Sequence, residues 1–68
     1  MPSSVIQAID YEREHSRLTV TFTTGRIYEY YMVPPSVVAA FRSALSKGTF
    51  FNSKIRNRYV CREVTATS

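Results

Sequence analysis

The sequence predicts an α+β fold: a small three-stranded antiparallel sheet, then two helices packed on one face of it, in the order β-β-β-α-α. Three observations carry this. Arg17 to Phe22 alternates strictly, with Leu18, Val20 and Phe22 on one side and Thr19 and Thr21 on the other, the pattern of a half-buried strand. Thr23-Thr24-Gly25 then supplies a turn into Arg26 to Tyr31. Beyond Val33-Pro34-Pro35 the apolar spacing lengthens from two residues to three and four, the helical period.

Strand one is read over Ser4 to Tyr11, a stretch with β-branched residues and neither Gly nor Pro. Glu12 to Ser16 is polar and connects it to strand two, Arg17 to Phe22. Strand three is Arg26 to Tyr31. The hairpin between strands two and three has two readings. A three-residue loop with Gly25 in the left-handed position sets Leu18 opposite Tyr30 and Val20 opposite Tyr28. A two-residue Thr24-Gly25 turn would send Ile27, Glu29 and Tyr31 to the apolar side instead, because a one-residue slip exchanges the two faces. The first register buries more apolar surface and keeps Glu29 out of the core, so it is preferred.

Pro35 holds Pro34 extended and suits the first position of a helix, where its missing N–H costs nothing. That helix is expected over about Pro35 to Ser46, with Val37, Phe41, Ala44 and Leu45 as its apolar stripe and Val38 and Ala40 beside it. Lys47-Gly48 reads as its stop. Thr49 reads as the cap of a second helix carrying Phe51, Ile55 and Tyr59 on one stripe, with Lys54 and Arg58 on one flank and Arg56 elsewhere. Asn57 offers an early end, and the sequence leaves open whether this helix runs through Tyr59. Residues 60–62 form a candidate extended segment, and the polar tail 63–68 is expected to fray. Residues 3–62 are thus one domain, which is all that 68 residues allow.

Net charge is +4 and uneven. Residues 1–31 hold three basic and four acidic side chains, net −1, whereas residues 32–68 hold six basic and one acidic, net +5. The basic half points to an anionic partner. No apolar stretch near the start resembles a secretory signal, and the longest apolar run, Val37 to Phe41, is far short of the ~20 residues a membrane helix needs. A single cysteine, Cys61, excludes an internal disulfide and fits a reducing, cytoplasmic setting.

The strongest functional cluster is Lys47, Lys54, Arg56, Arg58 and Arg62, interleaved with Phe50, Phe51, Asn52 and Tyr59. Such a mixture suits phosphate contacts with neighbouring stacking or amide hydrogen bonds. Arg26 is an outlying cation; Tyr31, on the side away from the helices, is the candidate exposed aromatic, since Tyr28 and Tyr30 are expected in the core. A metal needs three or four converging ligands, and with one histidine and one cysteine far apart in sequence, none is expected at His15 beside Glu12 and Glu14. Cys61 and the only histidine lie far apart in sequence, so no nucleophile–base pair is indicated. Neither an enzyme activity nor a metal or other cofactor is expected, and two glycines cannot make a phosphate loop.

The ordered set Ser3-Ser4, Ile6, Ile9, Tyr11, Leu18-x-Val20-x-Phe22, Gly25, Tyr28-x-Tyr30, Val33-Pro34, Ala44-x-Ser46-Lys47-Gly48, Phe51-Asn52, Ile55-Arg56 and Tyr59 resembles the KTSC domain. That domain is named for its occurrence at the C-terminus of some lysyl-tRNA synthetases, and it also occurs as a stand-alone small bacterial protein. The resemblance spans about residues 3–60 and implies a stand-alone member with a suggested role in RNA binding, tRNA or another structured RNA. The alternative expectation is a protein-interaction module that uses a free sheet edge or pairs with its own copies.

Overall fold

The structure, a computed structural model, describes residues 6–64. Its sheet has four strands, not three: β1 (Ile6–Glu12), β2 (Arg17–Phe22), β3 (Ile27–Tyr30) and β4 (Cys61–Val64), antiparallel in the order β1-β2-β3-β4. The fourth strand absorbs the expected extended segment at 60–62 and also takes in Glu63 and Val64, which the sequence had assigned to a frayed tail. They are held because β3 offers a free edge: Ile27 stands opposite Val64, Glu29 opposite Arg62 and Tyr30 opposite Cys61. Residues 4 and 5 of the expected first strand, and 65–68 of the tail, lie outside the described residues.

The β2–β3 hairpin has the three-residue loop. Leu18 faces Tyr30 and Val20 faces Tyr28, and Phe22 N–H donates to the Arg26 carbonyl at 2.8 Å. Gly25 sits at φ +96° with open space around its Cα, so the glycine is required by backbone conformation, not by crowding. Between β1 and β2 the chain makes a 3-10 turn, Arg13–His15. There the Glu12 carboxylate accepts from the Arg17 guanidinium and lies 2.9 Å from His15 Nδ1.

Helix α1 covers Pro35–Ser43, with Pro34 extended at its cap. It ends three residues earlier than expected: Ala44 is already extended, at ψ 139°. The reason lies at Ser46, whose hydroxyl accepts from Thr49 N–H and begins the next helix. Lys47 and Gly48 therefore start a helix instead of stopping one, Thr49 is not the cap, and Leu45 is fully exposed between the helices instead of joining the stripe. The buried members of α1 are Val38 and Phe41, with Val37 half-buried.

Helix α2 (Lys47–Phe50) passes directly into a π-helical turn, Phe51–Ile55, marked by the Arg56 N–H donating to the Phe51 carbonyl at 2.8 Å. The segment stops at Ile55. Arg56 is extended and Asn57 has φ 64°, so the helix does not reach Tyr59. Phe51 and Ile55 are buried on the expected stripe, and Tyr59 packs against them half-buried.

One core forms between the sheet and these helices: Ile6, Leu18, Val20 and Tyr30 from the strands, Val33 from the linker, then Val38, Phe41, Phe51 and Ile55. Five of them, including Phe41 and Ile55, are fully buried, each contributing about 1.5–3 kcal/mol of burial. Phe51 is the aromatic hinge of the core, edge-on to both Phe22 and Tyr30. Tyr11 hydroxyl donates to the Val33 carbonyl at 2.6 Å and pins the linker before α1. The opposite sheet face, with Asp10, Thr19, Glu29 and Arg62, contributes nothing to the buried core.

Candidate nucleic-acid interface

The fold divides the predicted cationic cluster into three groups. Lys54 and Arg58 come together in a groove of about 410 Å³ between α1 and the second helical segment, walled by Ser36, Val37 and Ala40 on one side and by Phe50 and Tyr59 on the other. The helix ends at Ile55, so their proximity comes from the turn through Arg56 and Asn57, which brings Arg58 back against the helical segment. Arg58 Nε also donates to the Ser53 carbonyl at 3.3 Å, which closes the end of the π turn.

Arg56 and Asn52 lie on the other flank, facing the sheet. Arg56 Nη1 donates to Asn52 Oδ1 at 3.3 Å. With Tyr28, Tyr30, Asn57 and Cys61 they line a second groove of about 510 Å³, whose apolar part is Phe22 and Phe51. Burial, and then the neighbouring Cys61 thiol, push the Tyr30 hydroxyl up to about 12. Among the described residues neither groove is lined by a carboxylate or an imidazole.

The third group is dispersed. Arg62 lies on the sheet face away from the helices, 3.8 Å from Glu29, and Tyr31 is half-buried there with its hydroxyl donating to the same carboxylate at 2.8 Å. Holding that bond keeps the Tyr31 hydroxyl protonated above its ordinary range. Arg26, beside the hairpin loop, is 3.9 Å from Glu63, and the neighbouring Tyr28 and Glu63 favour its charged form. Lys47 reaches the Ala44 carbonyl at 3.5 Å, at the break between the helices. By contrast, no acidic side chain among the described residues pairs with Lys54, Arg56 or Arg58.

Sequence reasoning missed the α1 wall of the first groove and the tyrosine–cysteine wall of the second. Tyr28 and Tyr30 were rightly assigned to the core side, and that same side opens toward Asn52 and Arg56. At the β1–β2 turn, ligand atoms of Glu12, Glu14 and His15 lie within 4.8 Å of one another. The Glu12 carboxylate there is already engaged by His15 and, after it, Arg17, which hold it below its ordinary range.

Fold and grooves together define a small α+β domain whose sheet packs its helices on one face, with Lys54, Arg56 and Arg58 on the helical side. The sequence matches the KTSC domain over residues 2–59, and the chain belongs to that family. It is similar to a segment of the lysine–tRNA ligase of Nostoc punctiforme, 43% identical over 56 residues that make up 82% of this chain and 10% of the ligase. The chain thus spans about a tenth of that relative's length. An uncharacterized protein of Stutzerimonas stutzeri is 36% identical over 59 residues, 87% of this chain and 83% of that one. Among solved structures, a KTSC domain protein from Yersinia pestis superposes with a TM-score of 0.84 at 34% identity, covering 96% of this chain and 94% of the other.

Proposed function

We propose that this domain is a non-catalytic RNA-binding module that grips the phosphate backbone of a structured RNA through its helical side. The observation that carries the reading is the trio Lys54, Arg56 and Arg58, three exposed cations in five residues with no acidic partner among the described residues. Cations left unneutralised on an otherwise folded surface are what counterion release requires. Phe50 and Tyr59 beside Lys54 and Arg58 supply apolar and aromatic surface next to the phosphate contacts. Asn52 adds an amide; Lys47, Arg26, Arg62 and Tyr31 lie at the periphery. Similarity to a segment of lysine–tRNA ligases makes tRNA the first RNA to test. The exposed free thiol of Cys61 agrees with a cytoplasmic setting, and none of the described helices is long and apolar enough to cross a membrane.

The test is an amide chemical-shift titration of the labelled domain with a tRNA mixture at low and moderate salt. Saturable shifts clustered at residues 47–62 that weaken as salt rises support the reading. No shifts at low salt with tRNA in excess defeat it.

A second reading draws on the sheet. Among the described residues β1 and β4 are the outer strands of the sheet, and an outer strand is where a strand from a partner protein or a second copy adds. That mode would be insensitive to salt and abolished by proline in an edge strand, for example Ala8→Pro.

A further inference from the structure

The two cationic grooves differ in chemistry, and the difference assigns them different tasks. The first offers Lys54 and Arg58 against Ser36, Val37, Ala40, Phe50 and Tyr59: charge, apolar surface and hydroxyls, without an amide to read a hydrogen-bonding edge. The second sets Arg56 and two amides, Asn52 and Asn57, opposite the Tyr28 and Tyr30 hydroxyls and the Cys61 thiol. Resting on the RNA reading above, we infer that this second groove, between β4 and the π turn, holds one unpaired nucleotide of a looped or single-stranded RNA.

The hydrogen bond from Arg56 to Asn52 Oδ1 takes one lone pair of the amide oxygen and leaves the N–H₂ group to donate, beside the remaining guanidinium donors. Tyr30 adds an O–H. The groove therefore favours a ligand rich in acceptors: a phosphate, or a base edge such as the O6 and N7 of guanine, which an arginine fork matches. The nearest acidic residue along β4, Glu63, is turned to Arg26 at 3.9 Å and does not line the groove. Its volume of about 510 Å³ falls within the roughly 300–1,000 Å³ of pockets that take small molecules. Sequence-specific RNA recognition acts on bases splayed out of a helix, because the deep groove of duplex RNA hides its edges. In this arrangement Lys54 and Arg58 set the position of the backbone, and the Asn52–Arg56 pair receives the splayed base.

The experiment compares a labelled hairpin RNA having an open, guanine-containing loop with a blunt duplex of equal phosphate number. Both are bound at low salt to the intact chain and to two double variants, Asn52→Ala/Arg56→Gln and Lys54→Ala/Arg58→Ala. All four side chains are exposed, and circular dichroism verifies each fold. The wild type is expected to prefer the hairpin by about tenfold, the scale of one good bidentate base contact. Asn52→Ala/Arg56→Gln erases that preference while lowering duplex affinity far less; Lys54→Ala/Arg58→Ala weakens both RNAs alike. Equal wild-type affinity for the two RNAs, or a preference that survives Asn52→Ala/Arg56→Gln, overturns the groove assignment and leaves the RNA reading standing. Displacement of the hairpin from this groove by polyglutamate at equal charge also overturns it, in favour of an acidic protein segment. If neither RNA binds the wild type at low salt, the RNA reading fails and this inference fails with it.

Discussion

Replacing Lys54, Arg56 and Arg58 together by alanine should change the salt dependence of RNA binding by an amount the ion pairs already specify. The three are exposed and have no acidic neighbour among the described residues, whereas Arg26 and Arg62 lie 3.9 and 3.8 Å from Glu63 and Glu29. Each free cation that neutralises a phosphate contributes about 0.7 to the slope of log affinity against log salt on a single strand and about 0.9 on a duplex. Three such contacts give a slope of about 2 to 2.7, so raising salt from about 50 to 200 mM should weaken wild-type binding by about 20- to 40-fold from these residues alone. The triple variant should lose that component. Arg26→Ala with Arg62→Ala should change the slope by less than about one, because each cation already spends part of its field on a carboxylate. Fluorescence anisotropy against a transcribed tRNA over a salt series measures both slopes, and far-ultraviolet circular dichroism verifies the variants' fold. A triple variant that is folded and retains the wild-type slope refutes the assignment of the phosphate contacts. A drop of equal size in the Arg26/Arg62 variant would refute the reasoning from ion pairing.

Three further outcomes test the fold beneath the site. Ile55→Ala empties a fully buried position at the end of the π turn and should cost about 2–5 kcal/mol in urea unfolding; a loss under about 1 kcal/mol would mean the turn does not anchor in the core. Tyr11→Phe leaves the Val33 carbonyl without its 2.6 Å donor and should cost about 1–2 kcal/mol, read as a lower thermal midpoint with an unchanged spectrum. Glu12 is held below its ordinary value of 4.5, first by its hydrogen bond to His15 and then by that to Arg17. Its contribution is therefore present above pH 4.5 and lost as pH falls through the depressed folded value. Thermal midpoints of wild type and Glu12→Gln should converge on the acid side of 4.5 and separate above it, and parallel curves throughout would contradict that.

The hairpin register was legible because two local facts agreed: strict alternation over Leu18, Val20 and Phe22, and a glycine placed three residues into the loop. Strand β4 was not legible, because nothing local specifies it. Cys61–Val64 is four residues long with Arg62 and Glu63 in the middle, and its hydrogen bonds come from a strand some thirty residues earlier. Missing it had a cost at the site. Without β4, Arg62 and Arg26 count as free cations; with it, Glu29 falls opposite Arg62 and Glu63 comes near Arg26. The early end of α1 was readable in principle, since Ser46 three residues before Thr49 is a serine cap, but the lysine–glycine pair that follows gave the stronger stop signal. A helical reading of residues 54–58 separates Arg56 from Lys54 and Arg58, but in the structure the helix ends at Ile55 and the turn through Arg56 and Asn57 sets them apart. Which walls face each group depended on how α1 packs against the π turn, and that is a property of the assembled core.

Strand β4 closes the second groove from one side and, among the described residues, pairs with β3 only. It is short, terminal to the described fold and exposed over most of its length, which is where local opening concentrates. The groove and the strand thus share one equilibrium: when β4 lifts away, the groove loses its Cys61 wall. Any ligand that needs the closed pocket must then draw β4 down by mass action. Occupancy would be readable at a distance from the ligand itself, as slower amide exchange along residues 61–64 and slower alkylation of the Cys61 thiol.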